Sequence, residues 1–141
     1  MLDIKLQNID KTIEKYSKRI ERMEDSTKAM EVISIMGHKD VMDHFSQEQN
    51  PSGKWHPLSQ STLRAKSPKT GILKDKGLLR LSIRGKSFKN EAHLYTNTKY
   101  AKYHNDPDSV PSYGYLRKFL WISEMAKVKI IRFLLKFYTE V

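Results

Sequence analysis

The five histidines are the residues of this chain best suited to catalysis or metal binding, and their spacing favours neither. They are His38, His44, His56, His93 and His104. No two of them have the spacing of a His-Glu-x-x-His zinc motif, and the chain has no cysteine to complete a mixed site. We therefore predict that the protein holds no metal and no other cofactor.

His104 is the histidine that could act as a general base. The carboxylates nearest to it in sequence, Asp106 and Asp108, lie in a segment interrupted by Pro107, and no serine has a nucleophile-elbow context. The glycines are spaced as turn formers and make no phosphate-binding pattern. The sequence predicts that the protein is not an enzyme.

The net charge of +10 is concentrated in one block, residues 54–90, which holds ten basic residues and a single acidic one. A field of this sign attracts DNA, an anionic membrane or an acidic protein surface. A solvated loop whose charge keeps a small protein in solution explains the block equally well. The residues that would face a polyanion are Arg64, Lys66, Lys69, Lys74, Lys76, Arg80, Arg84 and Lys86.

The segment that follows Phe45 is composed of turn, anchor and cap residues. The tetrapeptide at 50–53, Asn-Pro-Ser-Gly, fits a type I turn, with proline fixing φ at the second position. Trp55 and Leu58 supply apolar anchors, and Ser59 is a predicted N-cap. Leu58 and Leu63 then have the spacing of a hydrophobic staple around the start of a short helix.

In this order of residues the chain resembles the virion morphogenesis family of Mu-type tailed phages, also called tail-completion proteins. The family shows a Phe, a Pro-x-Gly turn, a Trp-x-Pro-Leu and a Thr-x-x-x-Lys in succession. The residues that carry the resemblance here are Phe45, Pro51, Gly53, Trp55, Pro57, Leu58, Thr62 and Lys66.

The resemblance continues through three later motifs. The residues that match them are Leu73, Gly77, Leu78 and Ser82, then Tyr100, Ala101 and His104, then Arg117, Phe119, Leu120 and Ser123. The sequence departs from the family at 105–108, where a glycine is replaced, and at the Tyr-Gly-Tyr of 113–115. The loop at 105–115 is therefore the region to which the family pattern transfers least.

The resemblance implies a structural phage or prophage protein that completes the tail or joins it to the head. It also implies a ring of identical subunits that contacts other phage tail or head-tail connector proteins. Such a protein assembles in the cytoplasm of the host bacterium and ends in the virion, at the tail or the head-tail junction. The alternative function is sequence-independent nucleic-acid binding through the basic block.

An N-terminal helix is predicted from apolar residues at alternating three- and four-residue steps. The seam comprises Leu6, Ile9, Ile13, Tyr16, Ile20, Met23 and Met30, with Thr27 completing it. Such a narrow stripe is typical of a coiled coil or of a helix packed on its own subunit's sheet. Gly37 is predicted to end the helix, and a second short helix through Val41 and Phe45 follows.

Strands are predicted between Leu79 and Thr98, where apolar and polar residues alternate. Leu79, Leu81 and Ile83 form the apolar face of the first strand, and a reversal is predicted at 85–87. The alternative for the start of this segment is one helical turn from Gly77, because Leu78 and Leu81 also fit the helical period.

A final helix is predicted after Ser123, its N-cap, with Glu124 in the first turn. Its apolar residues cover more than one face, which favours burial from two sides. We predict that this region forms an interface between subunits, because Phe, Trp and Arg are enriched there. The residues assigned to it are Phe119, Trp121, Ile130, Leu134 and Phe137.

The whole chain, 1–141, is predicted to be one α+β domain. It comprises a long N-terminal helix, a short second helix, a small antiparallel β-sheet and a C-terminal helix packed on the sheet. Neither a signal peptide nor a membrane-length apolar run is present in the sequence. The sequence thus predicts a soluble intracellular protein with no membrane partner.

Overall fold

The computed structural model describes residues 9–65, 71–73 and 77–140. Its architecture is mixed helix and sheet, which confirms the predicted α+β class. A single domain over 1–141 stays a prediction. The elements in chain order are α1 (Ile9–Glu24), α2 (Thr27–Gln47), β1 (Gln49–Asn50), β2 (Gly53–Lys54), α3 (Gln60–Ala65), α4 (Leu78–Leu81), β3 (Arg84–Ser87), β4 (Ala92–Tyr95), α5 (Lys102–Asn105) and α6 (Glu124–Thr139).

The predicted N-terminal helix is divided in two at Asp25 and Ser26. Asp25 Oδ1 accepts hydrogen bonds from the backbone N of Thr27 at 3.0 Å and from its hydroxyl at 2.6 Å, so it satisfies a free donor at the start of α2. The backbone N of Ser26 donates to Lys89 O at 2.9 Å. The seam predicted to run unbroken from Leu6 to Met30 is therefore interrupted.

Gly37 was predicted to end a helix, and this prediction is wrong. It lies in the interior of α2, which continues to Gln47 and ends at Glu48 in the left-handed conformation (φ 53°). A methyl group at Gly37 would come within 2.9 Å of Leu94 Cδ1. Glycine is used here for close approach between α2 and β4 instead of for a helix terminus.

Among the residues that the structure describes, two short hairpins form the sheet structure. β1 and β2 pair antiparallel, Gln49 opposite Lys54, and Asn50 to Gly53 makes the predicted turn with Gly53 at φ 147°. β3 and β4 also pair antiparallel, with Arg84 opposite Tyr95 and Ser87 opposite Ala92. The predicted single sheet is thus two separate two-stranded sheets.

The first of the predicted strands is displaced. Leu79 and Leu81 belong to the helical turn α4, which Gly77 precedes at φ 70°, and the strand begins only at Arg84. The helical alternative is therefore correct for 78–81. The reversal predicted at 85–87 is wrong, because those residues pair with β4 and the chain turns after them, where Phe88 N donates to Glu91 O at 2.8 Å.

The core lies between α2, the hairpins and the segment before α6. Phe45, from α2, contacts Trp55 edge-on and Phe119 in a tilted arrangement, with ring centroids 5.8 and 5.3 Å apart. The buried core residues are Val41, Phe45, Trp55, Ile72, Leu79, Ile83, Ala101 and Phe119. The predicted burial of Trp55 is confirmed, since it is 3% exposed.

α6 begins and ends with defined polar contacts. Ser123 is the N-cap, as predicted, because its Oγ accepts a hydrogen bond from Ala126 N at 3.1 Å. At the other end, Arg19 and Arg22 of α1 donate to the backbone oxygens of Thr139 and Glu140, each at 2.8 Å. Cations are favourable at this negative end of the helix dipole, so the arginines attach α1 to α6.

Candidate functional site

Residues 116–123 run between the hairpins and α6, and polar side chains from distant elements fix their backbone. Asn50, in the β1–β2 turn, accepts from Lys118 N at 2.6 Å and donates to Leu116 O at 3.3 Å. Trp55 Nε1 donates to Lys118 O at 3.0 Å. One turn and one tryptophan thereby hold the start of this segment.

Asn105, at the end of α5, holds the middle of the same segment. Its Oδ1 accepts from Phe119 N at 3.0 Å and from Leu120 N at 2.8 Å. These are backbone donors that no strand partner satisfies, and buried unpaired donors are costly. The amide of Asn105 therefore keeps Phe119 in the core.

The end of the segment is attached to α2. Asp40 accepts from Ser123 N at 2.8 Å and from Ser123 Oγ at 2.6 Å. Trp121 stacks on His44 with ring centroids 3.8 Å apart and donates from Nε1 to Gln49 O at 3.2 Å. Trp121 thus covers α2 within its own subunit.

His44 is buried, and one of its two ring nitrogens makes a hydrogen bond. Its Nδ1 lies 3.2 Å from Phe119 O, and because a carbonyl only accepts, Nδ1 carries the proton. Nε2 is buried without a hydrogen bond, although Asp40 Oδ2 lies 3.4 Å away. Burial lowers the pKa of His44, while the charges of Asp40 and Asp43 oppose that shift. The ring is a neutral structural element near pH 7.

His104 and Arg117 lie together beside the 116–123 segment. Arg117 N donates to His104 O at 3.0 Å, and its guanidinium donates to the backbone oxygens of His56 at 3.0 Å and Pro57 at 3.3 Å. Burial lowers the pKa of His104, and the charge of Arg117 lowers it further. Arg117 thereby connects the residues after Trp55 to the end of α5.

Some residues of the family-like motifs lie together in or beside the core, and the others lie on the surface. Phe45, Trp55, Ala101 and Phe119 are in the core, and Leu58 and Leu120 pack against it. His104 and Arg117 are half-buried at its edge. The residues that lie exposed are Pro51, Pro57, Leu78 and Tyr100, and Lys66 lies outside the described residues.

The residues predicted to form a subunit interface are partly used inside the subunit. Phe119 is 0% exposed, so it has no surface for a neighbour and its assignment is corrected. Trp121, Ile130, Leu134 and Phe137 are half-buried, and an interface through them stays a prediction. The apolar residues of α6 that are exposed lie on its other face: Met125, Val128, Ile131 and Leu135.

The basic block is described only in part, because Lys66, Lys69, Lys74 and Lys76 lie outside the described residues. Arg64 and Arg80 are exposed on α3 and α4. Arg84 and Lys86 are two positions apart on β3 and so share one face of the hairpin. Their cross-strand partners on β4, Tyr95 and His93, lie on the same face. Lys86 Nζ lies 5.1 Å from the centroid of the Tyr95 ring. This outer hairpin face combines cations with aromatic rings.

Two properties of the described residues concern metal binding and membrane insertion. Within 9–65, 71–73 and 77–140, no three acidic or histidine side chains come together in a way that could hold a metal ion. Among the helices of those ranges, none combines the length and the apolar character needed to cross a bilayer.

The sequence predictions missed the roles of Asp40, His44, Asn50 and Asn105 as polar supports of residues 116–123. Asn50 was assigned to a turn, and its side chain has a second role. Asn105 directly follows His104, the last matching residue of the Tyr100, Ala101 and His104 motif. An amide oxygen can accept from two backbone donors at once, so an amide at this position was the feature of the sequence that could have indicated the role.

Comparison with known proteins agrees with the family-like motifs as far as His104. The sequence model of the phage virion morphogenesis family matches residues 4–108, which include the β1–β2 turn, Trp55 and the end of α5. Neither the curated proteins nor the solved structures gave a match to this chain. Since the family match covers well over half of the sequence, the chain belongs to the phage virion morphogenesis family.

Proposed function

We propose that this protein is a structural, non-enzymatic component that completes the phage tail or joins it to the head. It acts as a ring of identical subunits, with other tail or head-tail connector proteins as neighbours. Assembly takes place in the host cytoplasm, and the protein stays in the virion. Membership of the morphogenesis family supports a structural phage role.

The observation that carries the assembly role is the exposure of apolar helix faces. Ile13, Ile20, Ile131 and Leu135 are each more than half exposed on α1 and α6. Contiguous apolar residues on a protein surface mark sites that other proteins cover. A virion component must make such contacts, whereas an isolated enzyme would have no need of them.

Inactivation of the gene in a phage that encodes this chain tests the proposal. We expect electron micrographs of the lysate to show heads and tails that are unjoined, with infectivity lost. Supplying the chain in trans should restore joined particles. Joined, infectious particles in undiminished number from the inactivated phage would contradict the proposed role.

Sequence-independent DNA binding remains a second candidate, favoured by the outer face of the β3–β4 hairpin. Its Arg84 and Lys86 stand beside Tyr95, a combination suited to phosphates and bases. Fluorescence anisotropy with labelled duplex DNA should show binding that weakens steeply with salt. Arg84→Glu with Lys86→Glu should reduce the salt slope by about two, because two phosphate contacts are lost. Absence of binding at low salt would exclude this function.

A further inference from the structure

α1 carries an apolar stripe that its own subunit leaves uncovered. The stripe consists of Ile13, Tyr16, Ile20 and Met23, whose exposed fractions lie between 54% and 59%. These residues were predicted to form a packed seam or a coiled-coil seam. Four large apolar side chains on one face of a surface helix call for a partner.

α6 carries a second uncovered stripe. It consists of Met125, Val128, Ile131 and Leu135, with exposed fractions between 46% and 70%. The opposite face of α6 packs inside the subunit, where Ala126 is buried and Phe137 lies under Arg22. Each stripe spans eleven residues, so the two have the same length of about 15 Å.

The charges beside the two stripes have opposite signs. At 100° per residue, an acidic row runs along one side of the α1 stripe. Its members are Asp10, Glu14, Glu21 and Glu24. On the same rotational side of the α6 stripe, a basic row is formed by Lys129, Arg132 and Lys136. Glu14 also pairs with Lys18, and Lys136 lies 3.8 Å from Glu140, but both pairs are exposed. Glu124, in the first turn of α6, is the acidic exception on that surface and pairs with Lys127. The two surfaces are therefore both apolar along their stripes and opposite in charge along these two rows.

The basic side of α1 is engaged within the subunit. Arg19 and Arg22 donate to the carbonyl oxygens at the end of α6. A parallel pair of α1 helices would need Arg19 to face Glu24 of the other copy. Arg19 already donates to Thr139 O in its own subunit. The acidic row, and not the basic side, is therefore the charged side of α1 that a partner contacts.

The geometry points to a second copy of this chain as the partner: the α1 stripe of one copy packs antiparallel on the α6 stripe of the next. This inference rests on the proposed function and names the surface through which the subunits associate. Two rows on the same rotational side come together only when the helices run in opposite directions. Ile13 then lies beside Leu135, and Ile20 beside Val128.

Such a contact is heterologous, because two different surfaces of the chain meet, and repetition of it closes into a ring when the rotation allows. Each α6 is then covered on one face by its own subunit and on the other by its neighbour. Stable interfaces bury roughly 800 Å² per partner, and one pair of short stripes is small by that measure. In a closed ring each subunit makes the contact twice, so assembly depends strongly on concentration.

Light scattering of the full-length chain over a wide concentration range tests the inference with two variants. Ile20→Asp damages the α1 stripe and Ile131→Asp damages the α6 stripe. Each variant alone should be monomeric with an unchanged melting temperature, because both positions are exposed. Mixed together they should form dimers only, since one intact stripe of each kind remains. Ser52→Asp, at an exposed turn position, is the control for added charge and should assemble as the wild type does.

Disulfide trapping tests the direction of the helices, because the chain has no cysteine of its own. Ile13→Cys mixed with Leu135→Cys should give a cross-linked dimer under oxidation. Ile13→Cys mixed with Val128→Cys should give much less, because Val128 lies beside Ile20 in this contact, which is seven residues, or about 10 Å, along α1 from Ile13.

Four results would overturn the inference: a wild type that stays monomeric throughout, an Ile131→Asp variant that assembles normally, a mixture that forms no dimer, or trapping that favours Val128→Cys. Oligomers that persist in both single variants would reject this surface and leave the proposed function standing. Failure of the function itself is detected separately, in the lysate of the inactivated phage.

Discussion

Asn50 and Asn105 show how single side chains replace sheet pairing in this protein. Residues 116–123 have no strand partner among the described residues, and several of their backbone donors and acceptors are satisfied by amides, an indole, a histidine and a carboxylate. Turn and cap chemistry at Asn50 and Ser123 could be predicted from sequence, because it depends on near neighbours. The second role of Asn50, at a residue 68 positions away, could not.

Asn105→Ala should destabilise the protein by about 2 to 4 kcal/mol, because Phe119 N and Leu120 N both lose their acceptor in a partly buried site. Asn105→Asp keeps the accepting oxygen and should recover most of that loss. Urea unfolding measures the difference, with Asn97→Ala, at an exposed position, as the control. An Asn105→Ala variant as stable as the wild type would show that water satisfies those donors.

The buried ring of His44 should make stability depend on pH. Its pKa is lowered in the folded protein from the ordinary 6.5, so below that pH the unfolded chain binds more protons than the folded chain. The stability that neutral His44 contributes is fully present above about pH 6.5 and is lost as the pH falls toward the pKa of His44 in the folded protein. The free energy of unfolding should therefore decrease on acidification through that range.

His44→Gln removes the titrating group and retains a donor for Phe119 O, so it should flatten part of this pH dependence. His104, whose pKa is also lowered, accounts for another part. Ser46→Ala, at a neighbouring exposed position of α2, should leave the slope unchanged. The measurement is urea unfolding at a series of pH values, and an identical slope in wild type and His44→Gln would refute the assignment.

Among the elements, α2 and the β3–β4 hairpin approach each other closely. Gly37 faces Leu94, and Gly85 lies against Ser34. The sequence indicated both glycines as breakers, one of a helix and one of a strand. It gave no sign that a long-range contact requires them, because nothing local to either residue distinguishes a turn glycine from one that admits a neighbouring element.

Gly85→Ala should destabilise the protein by about 1 to 3 kcal/mol, because the new methyl group would overlap Ser34 Oγ. Ser34→Ala in the same chain should remove the overlap, since the two methyl carbons would then lie 3.5 Å apart, an ordinary contact. A double-mutant cycle of unfolding free energies gives the coupling. No destabilisation in Gly85→Ala alone would mean that the Ser34 hydroxyl turns away without loss.

At the scale of the whole molecule, periodicity predicted helices at α1 and α6, missed the break at Asp25 and Ser26, and left open what the apolar faces contact. The seam of α1 was expected against another helix or the sheet, yet Ile13 and Ile20 are exposed. Periodicity identifies which residues share a face and carries no information on whether the partner belongs to the same chain. For a component of a larger assembly, part of that pattern describes contacts between subunits.

The most direct measurement is the number of copies of this chain in purified virions, determined by mass spectrometry with isotope-labelled standard peptides. A ring at the tail or head-tail junction predicts a fixed number of copies per particle that further purification does not reduce. If the chain is absent from infectious particles, or present only in variable traces, it is not a ring component of the virion.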